Sequence, residues 1–113
     1  MDIEITPIDD YTTIKPLEIR LDKKTAETFK DEIRMVINDN GPHILIDLSN
    51  IKFMDSSGLG AIITSLKLVA TTGDIVLCGV EPEVLQLFKL TRMDKVFSII
   101  SCNDDPEKHF RNK

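Results

Sequence analysis

Short apolar runs alternate with stretches of helical periodicity, and this alternation most constrains what the chain can fold into. His43-Ile44-Leu45-Ile46-Asp47-Leu48 is apolar at consecutive positions rather than at every second one, the pattern of a buried central strand. Asp74 to Cys78 repeats it. Between the two, Leu59, Ile62, Ile63, Leu66, Val69 and Ala70 recur at helical spacing, and Gly73 closes the helix. A strand, a helix and a further strand in this order imply a right-handed crossover and some parallel pairing.

The flanking segments extend the alternation. Met1, Ile3 and Ile5 alternate with polar residues as a half-buried strand, stopped by Pro7 and Asp9-Asp10. Ile14 and Leu17 to Leu21 predict a second strand, in which Pro16 belongs at an edge, an entry or a bulge. From Thr25 to Asn38, the residues Ala26, Phe29, Ile33, Val36 and Ile37 mark a helix that either Asp22 or Thr25 could cap. Asn38 to Pro42 ends it. Pro82 opens another helix with Val84, Leu85, Leu87 and Phe88. Val96 to Ile100 is a last strand, and Pro106 to Arg111 a weak terminal helix. The expected fold class is α/β, a mixed β-sheet with helices packed against it in the order β-β-α-β-α-β-α-β-(α). Spacing alone leaves open whether the helices cover one face or both.

Composition bounds the function. The 113 residues fit one domain over 1–113, and a hydrophobic share of 42% supports a core. A formal net charge of -5 with scattered basic residues, the largest group being Arg111 to Lys113, disfavours general nucleic-acid binding. The acidic start MDIEITPIDD is no signal peptide, and no apolar run approaches the ~18 residues that span a bilayer. The expected location is the cytosol, with no membrane partner and, by default, a monomer. Cys78 and Cys102 make no disulfide framework; Cys78, in an apolar run, reads as a buried, inert thiol. There is no C-x-x-C, H-E-x-x-H or Walker A pattern, so neither a metal nor a cofactor is expected.

One stretch stands apart from the core pattern: Phe53-Met54-Asp55-Ser56-Ser57-Gly58-Leu59-Gly60. Either serine can cap the helix that follows by accepting from an orphan amide. Gly58 and Gly60 are poor helix formers, which suggests a surface that another body approaches closely. A helix start also offers amides and a positive dipole end to a phosphoryl group. A serine nucleophile would need a base, yet only His43 and His109 are available and no G-x-S-x-G surrounds Ser56. An enzyme is therefore not expected. Phe29, Phe53 and Met54 read as core.

The DSSGLG core at residues 55–60 resembles the phosphorylation-site signature of the anti-sigma factor antagonists, which consist of a STAS domain. Leu21-Asp22 with Thr25 to Thr28, Ile44 to Leu48, and Gly79-Val80 with Val84 to Phe88 agree with it, over about Ile3 to Ile100. The resemblance implies a partner-switching cycle. The unphosphorylated protein binds an anti-sigma factor that is itself a serine kinase, and a sigma factor is freed. Phosphorylation separates the pair, and a PPM-type serine phosphatase restores it. It implies that Ser56 is the phosphoacceptor and that Asp22, Thr25, Asp55, Ser57, Gly58 and Gly60 form the partner surface. Ile19 stands where the family often has glycine, and Pro16 is a second departure; both alter one side of that surface. The alternative is a non-phosphorylated STAS subunit of another signalling or lipid-transport complex.

Overall fold

The computed structural model describes residues 1–112. Two strands open the chain as an antiparallel hairpin, β1 (Ile3–Ile8) and β2 (Tyr11–Pro16), turning at Asp9 with φ of 47°. The strand runs through Pro7 instead of stopping there. It lies at the edge of the sheet, where a missing N–H leaves no ladder bond unmade. The expected second strand divides. β2 pairs with the next strand only over Thr12 to Ile14 and ends at Pro16, which has no N–H with which to continue. Arg20–Leu21 forms a separate short strand, β3.

The remaining elements are α1 (Ala26–Asn40), β4 (His43–Asp47), β5 (Phe53–Met54), α2 (Ser56–Val69), β6 (Asp74–Cys78), α3 (Pro82–Leu90) and β7 (Ser98–Ile100). Short 3-10 turns lie at Met93–Lys95 and Pro106–Lys108, the latter in place of the expected terminal helix. The main sheet has five strands in the order β1-β2-β4-β6-β7, parallel except for the first pair. β3 and β5 make a second, two-stranded parallel sheet. The mixed α/β fold is as expected from the alternation, with two short strands added.

The central strands divide their side chains between two cores. Ile44, Ile46, Ile75 and Leu77 point to one face, where they meet Phe29, Ile33 and Val36 of α1, Ile62 and Val69 of α2, and Phe88 of α3. All three helices thus cover the same face. Leu45, Val76 and Cys78 point to the other, where Phe110 covers them with Tyr11 and Ile100 at the margin. The residues after β7 therefore act as an apolar cover. Asp105 caps the 3-10 turn by accepting from the Glu107 amide at 3.0 Å.

Cys78 is not a free thiol. It is bonded to Cys102, with Cα atoms 5.0 Å apart. The parallel register sets Cys78 opposite Ile100, and the turn beyond β7 brings Cys102 back to it. Two cysteines 24 positions apart carried no local sign of this. The terminal basic group is also tied down in part. Arg111 forks the buried Asp74 carboxylate, with Nη2 to Oδ1 at 3.0 Å and Nε to Oδ2 at 3.1 Å. The bond to Asp74 holds the Arg111 pKa above its usual value. Lys113 lies outside the described residues.

Gly73 shapes the turn from α2 into β6. A Cβ there would lie 2.1 Å from the Pro42 carbonyl oxygen, and Asp74 donates its amide to that same oxygen. Gly73→Ala must push two backbones apart, so a loss of about 2 kcal/mol is expected in urea unfolding at unchanged m-value.

Candidate functional site at the ends of the two short strands

The parallel pairing of Arg20 with Phe53 and of Leu21 with Met54 brings Asp22 and Asp55 together as the next residues of β3 and β5. α1 and α2 both begin just beyond that point, so their first turns lie side by side. Gly58 holds the arrangement closed. A Cβ on it would lie 2.0 Å from the Leu21 carbonyl oxygen, so α2 can rest against β3 only if this position is glycine.

Asp55 is the residue that caps α2. Its Oδ1 accepts from the Ser57 amide at 2.9 Å and the Gly58 amide at 3.0 Å. The serine-cap reading thus gives way to the carboxylate one position earlier, whose extended backbone (φ -106°, ψ -174°) aims the side chain back over the helix end. Ser56, the first helical residue, is exposed, and its hydroxyl makes no hydrogen bond to another described residue. Ser57 is half-buried.

The turn before α1 is pinned by a reciprocal pair. Thr25 Oγ1 accepts from the Asp22 amide at 3.0 Å, and Asp22 Oδ1 accepts from the Lys24 amide at 3.0 Å. Asp22 therefore holds the loop, and Thr25, although it occupies the cap position, makes no side-chain bond to the helix amides. Between the helices runs a groove of about 480 Å³ lined by Lys23, Ala26, Lys30, Ser57, Gly60 and Thr64 among others. Its lining combines small residues with two lysines and Glu27. A Cβ on Gly60 would meet nothing within 4 Å, so this glycine is not needed for internal packing. Lys30 also pairs with Glu27 at 2.8 Å, and that hydrogen bond holds the Glu27 carboxyl below its usual pKa.

On the other side of the site lies an apolar surface, of which the sequence points to Ile19 but not to Phe53. Phe53 is 45% exposed, contrary to its expected place in the core, and Ile19 is 65% exposed. Arg20 lies over the Phe53 ring at 4.8 Å from the centroid. A two-residue strand has too short a pattern to reveal which way its side chains face, which is why Phe53 read as core. Phe29 and Met54 are buried as expected.

The STAS domain family model matches residues 3–106. The chain is 33% identical over 89 residues to an anti-sigma F factor antagonist of Paenibacillus polymyxa, covering 74% of this chain and 76% of the relative. It belongs to the STAS-domain family of anti-sigma factor antagonists. An anti-sigma-B factor antagonist of Listeria monocytogenes is 29% identical over 80 residues, 70% of each chain. Among solved structures, a putative antagonist from Thermotoga maritima superposes with a TM-score of 0.83 at 22% identity, covering 95% of this chain and 93% of that one. The phosphorylated form of the Bacillus cell-fate determinant SpoIIAA gives 0.67 at 18% identity, over 89% and 93%. These two likenesses concern the fold.

Within this STAS domain, Ser56 and the six residues expected at the partner surface lie at one end of the β3–β5 pair. Asp55 and Gly58 build the site, Asp22 and Thr25 pin its neighbouring turn, and Ser56, Ser57 and Gly60 face outward or into the groove. Ile19, expected to alter one side of that surface, does lie beside it, whereas Lys23, Lys30 and Phe53 complete it and were missed. Lys23 lies in the turn before α1 and Lys30 within the helix, so no single period in the sequence linked them. Because the cap is Asp55, Asp55→Ala should cost about 1 kcal/mol in chemical unfolding, whereas Ser56→Ala should change stability by less than about 0.5 kcal/mol.

Proposed function

We propose that this chain is an anti-sigma factor antagonist that works by partner switching, with Ser56 as the phosphoacceptor. In its unphosphorylated form it docks on an anti-sigma factor that is also a serine kinase, through the surface formed by Asp22, Thr25, Asp55, Ser57, Gly58 and Gly60. Docking frees a sigma factor. Phosphorylation of Ser56 ends the complex, and a PPM-type serine phosphatase resets it. On this reading the whole of 1–113 acts as one STAS domain in the cytosol; no helix among the described residues is long and apolar enough to cross a membrane.

The observation that carries the reading is the free Ser56 hydroxyl. Asp55 has taken the capping role, so Ser56 can be modified without unmaking the helix start. The same arrangement explains why a phosphate would act at the interface rather than within the fold. The amides of Ser57 and Gly58 are already occupied by Asp55, and the carboxylate repels a second anion. An added charge of roughly -1.5 to -2 therefore stays outside, where a docking protein must desolvate it.

Gly60 supports a close approach. It forgoes the roughly 1 kcal/mol that alanine would contribute in a helix interior, although the space above it is open. Lys23 of the groove suits an acidic element of the partner, while Ile19 and Phe53 offer it an apolar anchor beside the phosphoacceptor.

With the cognate kinase and ATP, the intact protein should gain one phosphate, assigned to Ser56 by fragmentation; no gain under conditions where the kinase is active sinks the proposal. Ser56→Asp should weaken kinase binding by about tenfold or more in calorimetric titration. Gly60→Ala should raise stability by up to about 1 kcal/mol and still weaken docking, a combination that a purely structural glycine would not give.

A further inference from the structure

Residues 101–112 form a strap across the sheet face that the helices leave bare, and it is attached at several places. Cys102 is bonded to Cys78 at its start. Phe110 is buried near its end, with ring centroids 5.6 Å from Tyr11 and 5.5 Å from His43. Arg111 then forks Asp74. Asn112 adds a side-chain hydrogen bond to the Gly73 carbonyl at 2.9 Å and a backbone contact to the His43 ring; of these attachments only the one at Cys102 is covalent.

The covalent attachment is accessible from one side only. Cys78 is 1% exposed beneath the strap, whereas Cys102 is exposed. Room for the outer sulfur is built into the backbone. Gly79 has φ of 68°, and a Cβ there would stand 3.1 Å from Cys102 Sγ and 3.0 Å from Asp47 Oδ1. Asp47 Oδ1 in turn accepts from the Ser49 amide at 3.0 Å, at the start of the connector that leads to Asp55.

We propose that Cys78–Cys102 is a thiol–disulfide exchange site whose substrate is a dithiol reductant, and that its redox state sets whether the strap is fastened. A thiolate of the reductant attacks Sγ of Cys102, the S–S bond breaks, and Cys78 leaves as a thiolate that takes up a proton. The reductant's second thiol then resolves the mixed disulfide and releases Cys102 as a thiol. Two electrons and two protons pass to the protein, and the dithiol becomes a disulfide; the reverse exchange with a small-molecule disulfide refastens the strap. Cys102 is the point of attack because the sulfur of Cys78 is covered. The biological weight of the site rests on the cytosolic placement proposed above, since in that compartment thiols are kept reduced and a disulfide that does form is usually transient or redox-sensing. Once reduced, the strap is held without a covalent bond, through contacts that include those of Phe110, Arg111 and Asn112, over an apolar strip of Leu45, Val76 and Ile100.

The experiment uses the full chain, alone, so its result does not depend on any kinase. The protein is oxidised with glutathione disulfide, then treated with dithiothreitol under native conditions, alkylated in denaturant and weighed. The expected result is no alkylation before the dithiol and two adducts after it, reversed by renewed oxidation, with a glutathione adduct trapped on Cys102 in Cys78→Ser. Reduction should speed deuterium uptake over residues 101–112 by about tenfold or more while the amides of α1 and α2 stay protected. The fluorescence of Tyr11, the sole tyrosine in a chain without tryptophan, should change in step. Cys102→Ser, an exposed substitution, should show the fast uptake in either buffer. Two adducts in the oxidised protein, reduction that requires denaturant, or equal uptake in both redox states would each overturn the proposal.

Discussion

The central strands β4 and β6 are apolar on both faces, and the rest of the molecule is arranged to satisfy them. Ile44, Ile46, Ile75 and Leu77 need one cover, and Leu45, Val76 and Cys78 need another. Burial of such side chains is worth roughly 1.5–3 kcal/mol each, so neither face can be left to water. Three helices take the first face. With the helices committed there, only the hairpin margin and the residues after β7 remain for the second, and the strap carrying Phe110 closes it. Asp74, at the start of β6, is buried in consequence, and Arg111 meets its charge.

The candidate functional surface grows from the same commitment. Helices packed on one side of a parallel sheet start from one end of it, and β3 pairing with β5 draws the starts of α1 and α2 together. Gly58 allows the contact with Leu21 that sets their spacing. Here two adjacent residues divide the labour: Asp55 satisfies the helix and Ser56 is left with no structural duty. A hydroxyl that held the helix start could not be modified without cost to the fold; one that stands free can be.

The surface around Ser56 combines contrasting elements within a short reach. A groove lined by Lys23, Lys30 and Glu27 lies on one side, and exposed Ile19 and Phe53 lie on the other. Exposed apolar groups of this size beside a charged groove suit an interface with another protein. The protein's negative net charge is no obstacle, because the groove itself is lined by Lys23 and Lys30 against the single carboxylate of Glu27.

Much of this was legible in the chain itself. The consecutive apolar residues of β4 and β6, the helical spacing through α1, α2 and α3, and the DSSGLG stretch determined the α/β class, the order of the long elements and the place where function should be sought. These signals are local, carried by neighbouring side chains. What tertiary structure alone decided was non-local: that all helices share a face, that Cys78 meets Cys102, that Phe53 turns outward, and that Asp55 rather than a serine caps α2. The first three depend on pairings between segments far apart in sequence or too short to show a period. The last depends on the backbone angles at one residue, because Asp55 and both serines have side chains suited to capping and only the path of the chain selects among them.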